Sequence, residues 1–259
     1  MDKSTVGGIF LAFAGIALGL IIEGGKVGQM IQPTAAMIVF GGTIGAVLIQ
    51  FPLEVVMEAA GQLRFVFTHK AGSSAGLAES LLRYAHKARR DGMLSLDEEL
   101  DGITDPFLKK TLMLAIDGME PDELRGIMDL ELSLKAEKED QIPRVFEAAG
   151  GFAPTIGIIG AVLGLIQVMQ KLENINEVGK GIAVAFVATV YGVGSANILF
   201  LPWAGKLKIR MRERQLVREM TLEAVVSILE GINPRVLEGK MSGYLNKSPE
   251  VEREKLAYQ

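Results

Sequence analysis

The sequence predicts an all-α polytopic membrane protein. Four transmembrane helices are joined to a helical cytoplasmic domain, built from the insert between the second and third spans and from the C-terminal tail. Three observations carry that expectation. Residues 6–22, 35–51, 152–169 and 182–201 are apolar, each close to the roughly 20 residues that a bilayer-crossing helix needs. None of the four contains Asp, Glu, Lys, Arg or His. Residues 52–151, between the second and third, are mostly polar. Mean hydropathy is only +0.30 and the net charge only -4, so the signal is the segregation of apolar from charged residues, not the average.

The first stretch follows Asp2 and Lys3 and is not closed by Ala-x-Ala, so it reads as a span and not as a cleaved leader. Its Gly15-x-x-x-Gly19 permits close helix contact. Pro33 precedes the second span, where a missing N–H is harmless, and Gln50 and Pro52 end it. Residues 51–67 continue as a helix, with Leu53, Val56, Met57, Ala60 and Leu63 at helical spacing. His69 to Ser74 break it. Residues 76–90 form another helix, closed by Asp91-Gly92. A short helix over 93–101 is expected, with Ser95 as N-cap for Glu98. Asp105-Pro106 and Glu120-Pro121 open two more helices, the second running to about 145 and kinked or interrupted at Pro143. Residues 204–232 read as a long helix, stopped before Pro234, and residues 243–259 as a frayed tail. No strand is expected. The chain thus divides into 1–51 (spans one and two), 52–151 (insert), 152–203 (spans three and four) and 204–259 (helix and tail).

An even number of spans puts both termini on one side. Lys206, Lys208, Arg210, Arg212 and Arg214 follow the fourth span, and Arg64 and Lys70 follow the second. The loop over 23–32 carries only Lys26, and Lys171 and Lys180 are offset by Glu173 and Glu177. The basic sides face the cytoplasm, so termini and insert are expected there.

Several functions lack their residues. There is no cysteine, hence no disulfide or thiolate metal site, and His69 and His86 are the only imidazoles. No P-loop, HExxH or GxGxxG occurs, so neither an enzyme nor a cofactor is expected. Acidic residues outnumber basic ones, 31 to 27, which argues against nucleic acid.

The chemistry is expected in spans three and four. Gly157, Gly160 and Gly164 give the third span a small face, and Pro154 frees a backbone carbonyl and favours a bend. Thr189, Tyr191, Ser195 and Asn197 are the polar groups of the fourth. Hydroxyls in such a helix also bond their own i−4 carbonyls, so packing stays open as their role. Asn197 should face protein, and Trp203 should mark the interfacial belt. An ion crossing hydrocarbon needs an ionisable carrier, and the spans have none. Either another chain supplies the carboxylate, or the protein is a scaffold that conducts nothing.

Four segments carry a resemblance: Ala153-Pro154-Thr155-Ile156-Gly157-Ile158-Ile159-Gly160-Ala161, Ala188-Thr189-Val190-Tyr191-Gly192, Leu201-Pro202, and Ala88-Arg89-Arg90-Asp91-Gly92-Met93-Leu94-Ser95-Leu96. Together they resemble the MotA/TolQ/ExbB proton-channel superfamily, and its MotA-type flagellar stator subunits in particular, over nearly the whole chain. Four spans with the insert after the second fit that branch; TolQ and ExbB have three. The resemblance implies an inner-membrane protein, five copies of which surround two MotB-type partners. Each partner has one membrane helix with an ion-binding aspartate and a periplasmic peptidoglycan-binding domain. Inward proton flow then drives torque on the rotor through the switch protein FliG. Channel and coupling positions fall on Pro154, Ala161, Thr189, Tyr191 and Pro202. Rotor-facing basic residues fall on Arg89 and Arg90, and the acidic one on Asp97, where relatives often carry Glu, with Glu98 adjacent. Sodium-type relatives have a second threonine seven residues beyond the channel proline. Here that residue is Ala161, which implies H+ as the transported ion; Thr155 keeps Na+ as the alternative. A TolQ/ExbB-like energiser of an envelope complex is the other alternative.

Overall fold

The computed structural model describes residues 2–68 and 74–246, and every regular element among them is helical. The expected break over 69–73, with His69 and Lys70, and the tail from 247 onward lie outside the described residues. Helix α1 (Lys3–Ile22) starts at Asp2, whose carboxylate accepts the N–H groups of Ser4 and Thr5. A 3-10 turn over Val27–Met30 leads to the second span. That span is α2 (Pro33–Ala36), a π-helical stretch (Met37–Gly41) and α3 (Gly42–Gln50). The wide turn was not legible in the sequence. Beside it the buried Thr43 hydroxyl donates to the Val39 carbonyl at 2.6 Å.

The single helix expected over 51–67 is two, α4 (Leu53–Gln62) and α5 (Arg64–Phe67), parted at Leu63 just after the weak helix former Gly61. Helix α6 (Ser74–Asp91) turns at Gly92, whose φ of +84° only glycine adopts without strain, into a 3-10 stretch (Met93–Gly102). Ser95 is not the cap that its spacing suggested. It lies inside that stretch, and its hydroxyl donates back to the Gly92 carbonyl at 2.6 Å. Helix α7 (Pro106–Ile116) is capped by Asp105, which accepts from the Leu108 N–H at 2.9 Å.

Helix α8 (Pro121–Gln170) runs for 50 residues without a break and contains both Pro143 and Pro154. The interruption expected at Pro143 does not occur. Ile142, Val145 and Phe146 around it are all buried, and their packing outweighs the lost backbone bond. Helix α9 (Ile175–Gly194) passes through a second π-helical stretch (Ser195–Phe200) into α10 (Leu201–Leu229). Helix α11 (Pro234–Asn246) was not anticipated: residues 243–246, expected to fray, are its last turn. Leu237 and Met241 hold it by burial.

The described residues form two compact units. The membrane unit holds the residues up to 68 together with Asp140–Lys208, and among the described residues four segments are long and apolar enough to cross a bilayer. The polar unit holds the rest. Its core gathers Leu81, Leu96, Leu112, Leu124, Met128, Met220, Val225 and Leu237. Ion pairs brace it: Glu223 accepts from Arg125 at 2.9 Å and Lys240 at 2.7 Å, and Glu139 takes two bonds from Arg218 at 3.1 Å.

Candidate functional site

The third and fourth spans touch backbone to backbone. A Cβ on Gly157 would lie 2.9 Å from the Ala188 carbonyl oxygen, and one on Gly192 would lie 2.5 Å from the Ala153 carbonyl oxygen. Two turns further along, a Cβ on Gly164 would lie 2.8 Å from the Gly181 carbonyl oxygen. Real side chains cannot sit there, so the small-residue face read from the sequence is a seam. The second span joins it, with Ile38 Cγ2 3.3 Å and Ala188 Cβ 2.8 Å from the Cβ position of Gly160.

Pro154 and Ala161, seven residues apart and so nearly two helical turns, share one half-buried stripe of α8 close to Gly157. Thr189 flanks the same seam: its Cα lies 3.5 Å from the Cβ position of Gly157. The structure therefore brings Pro154, Ala161 and Thr189 to one seam. The Thr189 hydroxyl donates to the Ala185 carbonyl at 3.2 Å, which leaves its oxygen lone pairs as acceptors. Ser195 similarly donates to Gly192 at 3.2 Å, and Thr155 to Phe152 at 2.8 Å.

Tyr191 points elsewhere, about 200° around the helix from Thr189. Its hydroxyl donates to the Met30 carbonyl at 2.5 Å and accepts from the Gln32 N–H at 3.3 Å, while its ring stacks on Phe40. It clips the loop between the first two spans. The signal for this was present but unread: a tyrosine in an apolar helix needs a partner for its hydroxyl.

Asn197, expected to face protein, is exposed in the chain and bonds its own helix, donating to the Val193 carbonyl at 2.9 Å where the π stretch disturbs the regular ladder. Pro202 is exposed in the first turn of α10. Trp203, expected as a belt residue, is half-buried, edge-on to Phe67, Phe146 and Phe200 at centroid distances of 6.4, 6.1 and 6.1 Å.

The remaining residues singled out in the sequence lie in the polar unit. Arg89 and Arg90 are exposed in the last turn of α6. Arg90 forms a two-pronged pair with Asp91 at 3.0 and 2.8 Å, which holds the Asp91 carboxyl below the usual carboxylate range. Arg89 makes no ion pair with another described residue. Asp97 and Glu98 are exposed on the 3-10 stretch that packs on α6. Lys87, which sequence reasoning passed over, ties the two elements by reaching Glu99 at 2.7 Å and Glu98 at 3.5 Å. Basic and acidic groups thus sit on one braced substructure.

Comparison with known proteins gives matches along the whole chain. A model of the MotA/TolQ/ExbB proton channel family matches residues 99–220, and one of the motility protein A N-terminal region matches residues 6–92. The chain is 35% identical to motility protein A of Bacillus subtilis, covering 100% of this chain and 95% of that one. It resembles a solved structure of MotAB from C. jejuni with a TM-score of 0.90 at 32% identity, covering 96% of this chain and 98% of that one. It also resembles the flagellar MotAB stator complex of Bacillus subtilis, with a TM-score of 0.88 at 35% identity, covering 99% and 100%.

Proposed function

The chain is a MotA-type flagellar stator subunit of the MotA/TolQ/ExbB proton channel family, and on that premise we propose how its spans serve proton-driven torque. It is a channel subunit and not an enzyme. Five copies surround two MotB-type partners, with the termini and the polar insert in the cytoplasm. The partner's membrane helix supplies the aspartate that carries the proton, and FliG receives the torque at Arg89, Arg90, Asp97 and Glu98.

One observation carries this reading: the spans hold no Asp, Glu, Lys, Arg or His, while their tightest seam is flanked by Pro154, Ala161 and Thr189. A carboxylate beside that seam meets a smooth lining with few polar groups. Thr189 has committed its proton to Ala185, so it can accept a hydrogen bond from a protonated acid but cannot donate to a carboxylate without releasing that bond. The hydroxyl therefore distinguishes the two protonation states. Pro154 lacks an N–H, which leaves the Gly150 carbonyl without its helical donor and gives the lining a second acceptor. Ala161 adds no oxygen to the stripe. A sodium ion stripped of water needs several oxygen ligands, whereas a proton bound as a carboxylic acid needs none.

Proton flux into proteoliposomes tests the reading. The chain with a MotB-type partner should conduct, and the chain alone should stay at the leak of empty vesicles. Robust flux from the chain alone would overturn the assignment of the carrier to the partner.

A further inference from the structure

Helix α1 buries none of its residues, and its glycines Gly7, Gly8, Gly15 and Gly19 face open space. Side-chain packing within this chain therefore does little to hold it. Ile9, Ala12, Ala17 and Leu20 are half-buried along one side, but among the described residues the polar bonds that tie the helix to other elements are at its start. Asp2 Oδ1 accepts from the Ser4 N–H at 3.2 Å and from the Ser4 hydroxyl at 2.6 Å, capping the helix. Asp2 Oδ2 accepts from Lys206 Nζ at 2.5 Å, with the Asp2 and Lys206 side chains only 11% and 16% exposed. The Asp2 N–H donates to the Phe67 carbonyl at 2.8 Å. One residue thus joins the start of the first span, the end of α5 and the helix that leaves the fourth span. Lys206 stands one turn beyond Pro202 on that helix. A cleft of about 410 Å³ opens beside the pair, between Thr5 and Gly8 on one side and Asn197 and Trp203 on the other, so side chains do not fill the space between the two helices there.

We infer that Asp2 and Lys206 form a clamp that makes the first span move as one body with the base of the fourth, and that Asp2 is a positioning residue for torque transmission. A shielded pair of this kind is stronger than one in bulk water. A tilt at Pro202 reaches Lys206 within one turn, and through Asp2 it reaches α1 and α5. Without the pair, α1 is free to lag, and part of the displacement is lost before it reaches the rotor. The role in torque rests on the proposed function; the clamp itself does not.

A double-mutant cycle tests it in the complex of the full chain with its partner. Asp2→Asn keeps the helix cap, since Asn caps as well as Asp, and removes only the charge facing Lys206. Lys206→Met removes the amine, and Lys206→Arg keeps the charge. Torque on tethered cells, proton flux in proteoliposomes and melting temperature in detergent are read for each. Each neutralising single variant should lower torque about threefold or more at unchanged flux, and the double should be no worse than the worse single. Lys206→Arg should stay near the parent. Losses that multiply in the double, single variants that swim normally, or flux that falls in step with torque would overturn the clamp. If the proposed function is itself wrong, the parent complex conducts no protons, and the melting temperatures decide alone: non-additive shifts support the clamp and additive shifts overturn it.

Discussion

At Gly192 a single methyl group decides whether the third and fourth spans can meet. The Cβ of an alanine there would sit 2.5 Å from the Ala153 carbonyl oxygen, a backbone atom that cannot swing aside. Gly192→Ala should therefore destabilise the membrane unit by about 1–3 kcal/mol, the usual cost of overpacking. Gly15→Ala, whose Cβ meets nothing within the chain, serves as the control. Equal shifts of melting temperature in the two would show that the seam is not close-packed. In the polar unit, burial pushes the Glu223 carboxyl up, but hydrogen bonds from Lys240 and Arg125 outweigh it and hold it below the ordinary range. A lowered folded-state pKa contributes stability above the unfolded value of about 4.3, and that contribution is lost as pH falls through the folded one. Glu223→Gln should cost about 1–3 kcal/mol at neutral pH. The gap between parent and variant should hold from pH 8 to about 5 and close in acid. A gap that widens on acidification would contradict the pairing.

Among the elements, α8 departs most from sequence expectation. Two prolines sit inside one helix of 50 residues. Pro143 read as a kink or an interruption because local rules penalise it by about 3 kcal/mol. Burial of Ile142, Val145 and Phe146, which no local rule sees, carries the helix through. The fate of α11 has the same cause, since Leu237 and Met241 find a core contributed by distant helices. Pro154 and Pro202 lie where α8 loses a backbone bond and where the fourth span passes into α10. Alanine at either position restores an N–H and stiffens that point. Torque should fall in Pro154→Ala and Pro202→Ala while membrane level and partner co-purification persist. Unchanged torque in both would return the prolines to a purely structural role.

For the whole molecule, function depends on what the chain lacks as much as on what it holds. Apolar surface is plentiful on α1 and on the outward sides of spans three and four, where Phe10, Leu11, Ile158, Ile159, Phe186 and Val190 are all exposed. In a bilayer such faces meet lipid or other membrane helices, as suits a subunit of a larger complex. Ion choice belongs to this scale too. Swimming driven by this chain should persist when sodium is removed and collapse with a protonophore. Motility that follows external sodium and survives the protonophore would show that Ala161 does not select the ion.

The sequence by itself determined the fold class, the four spans, the polar insert and the absence of Asp, Glu, Lys, Arg and His from the spans. These depend on local composition and on the cost of placing charge in hydrocarbon, both of which are written residue by residue. It also marked Gly157 and Gly164 as a small face and Pro154, Ala161 and Thr189 as positions of interest. Tertiary structure alone decided which glycines form the seam, since Gly15 and Gly19 are four apart, as Gly160 and Gly164 are, yet meet nothing while Gly160 meets Ala188 and Gly164 meets Gly181. It turned Tyr191 towards Met30 and Gln32, more than 150 residues away in the chain, and paired Asp2 with Lys206. Periodicity reports which side of a helix is small or apolar. Only the packed bundle decides what that side meets, because the partner is chosen by shape and unsatisfied polar groups across the whole chain.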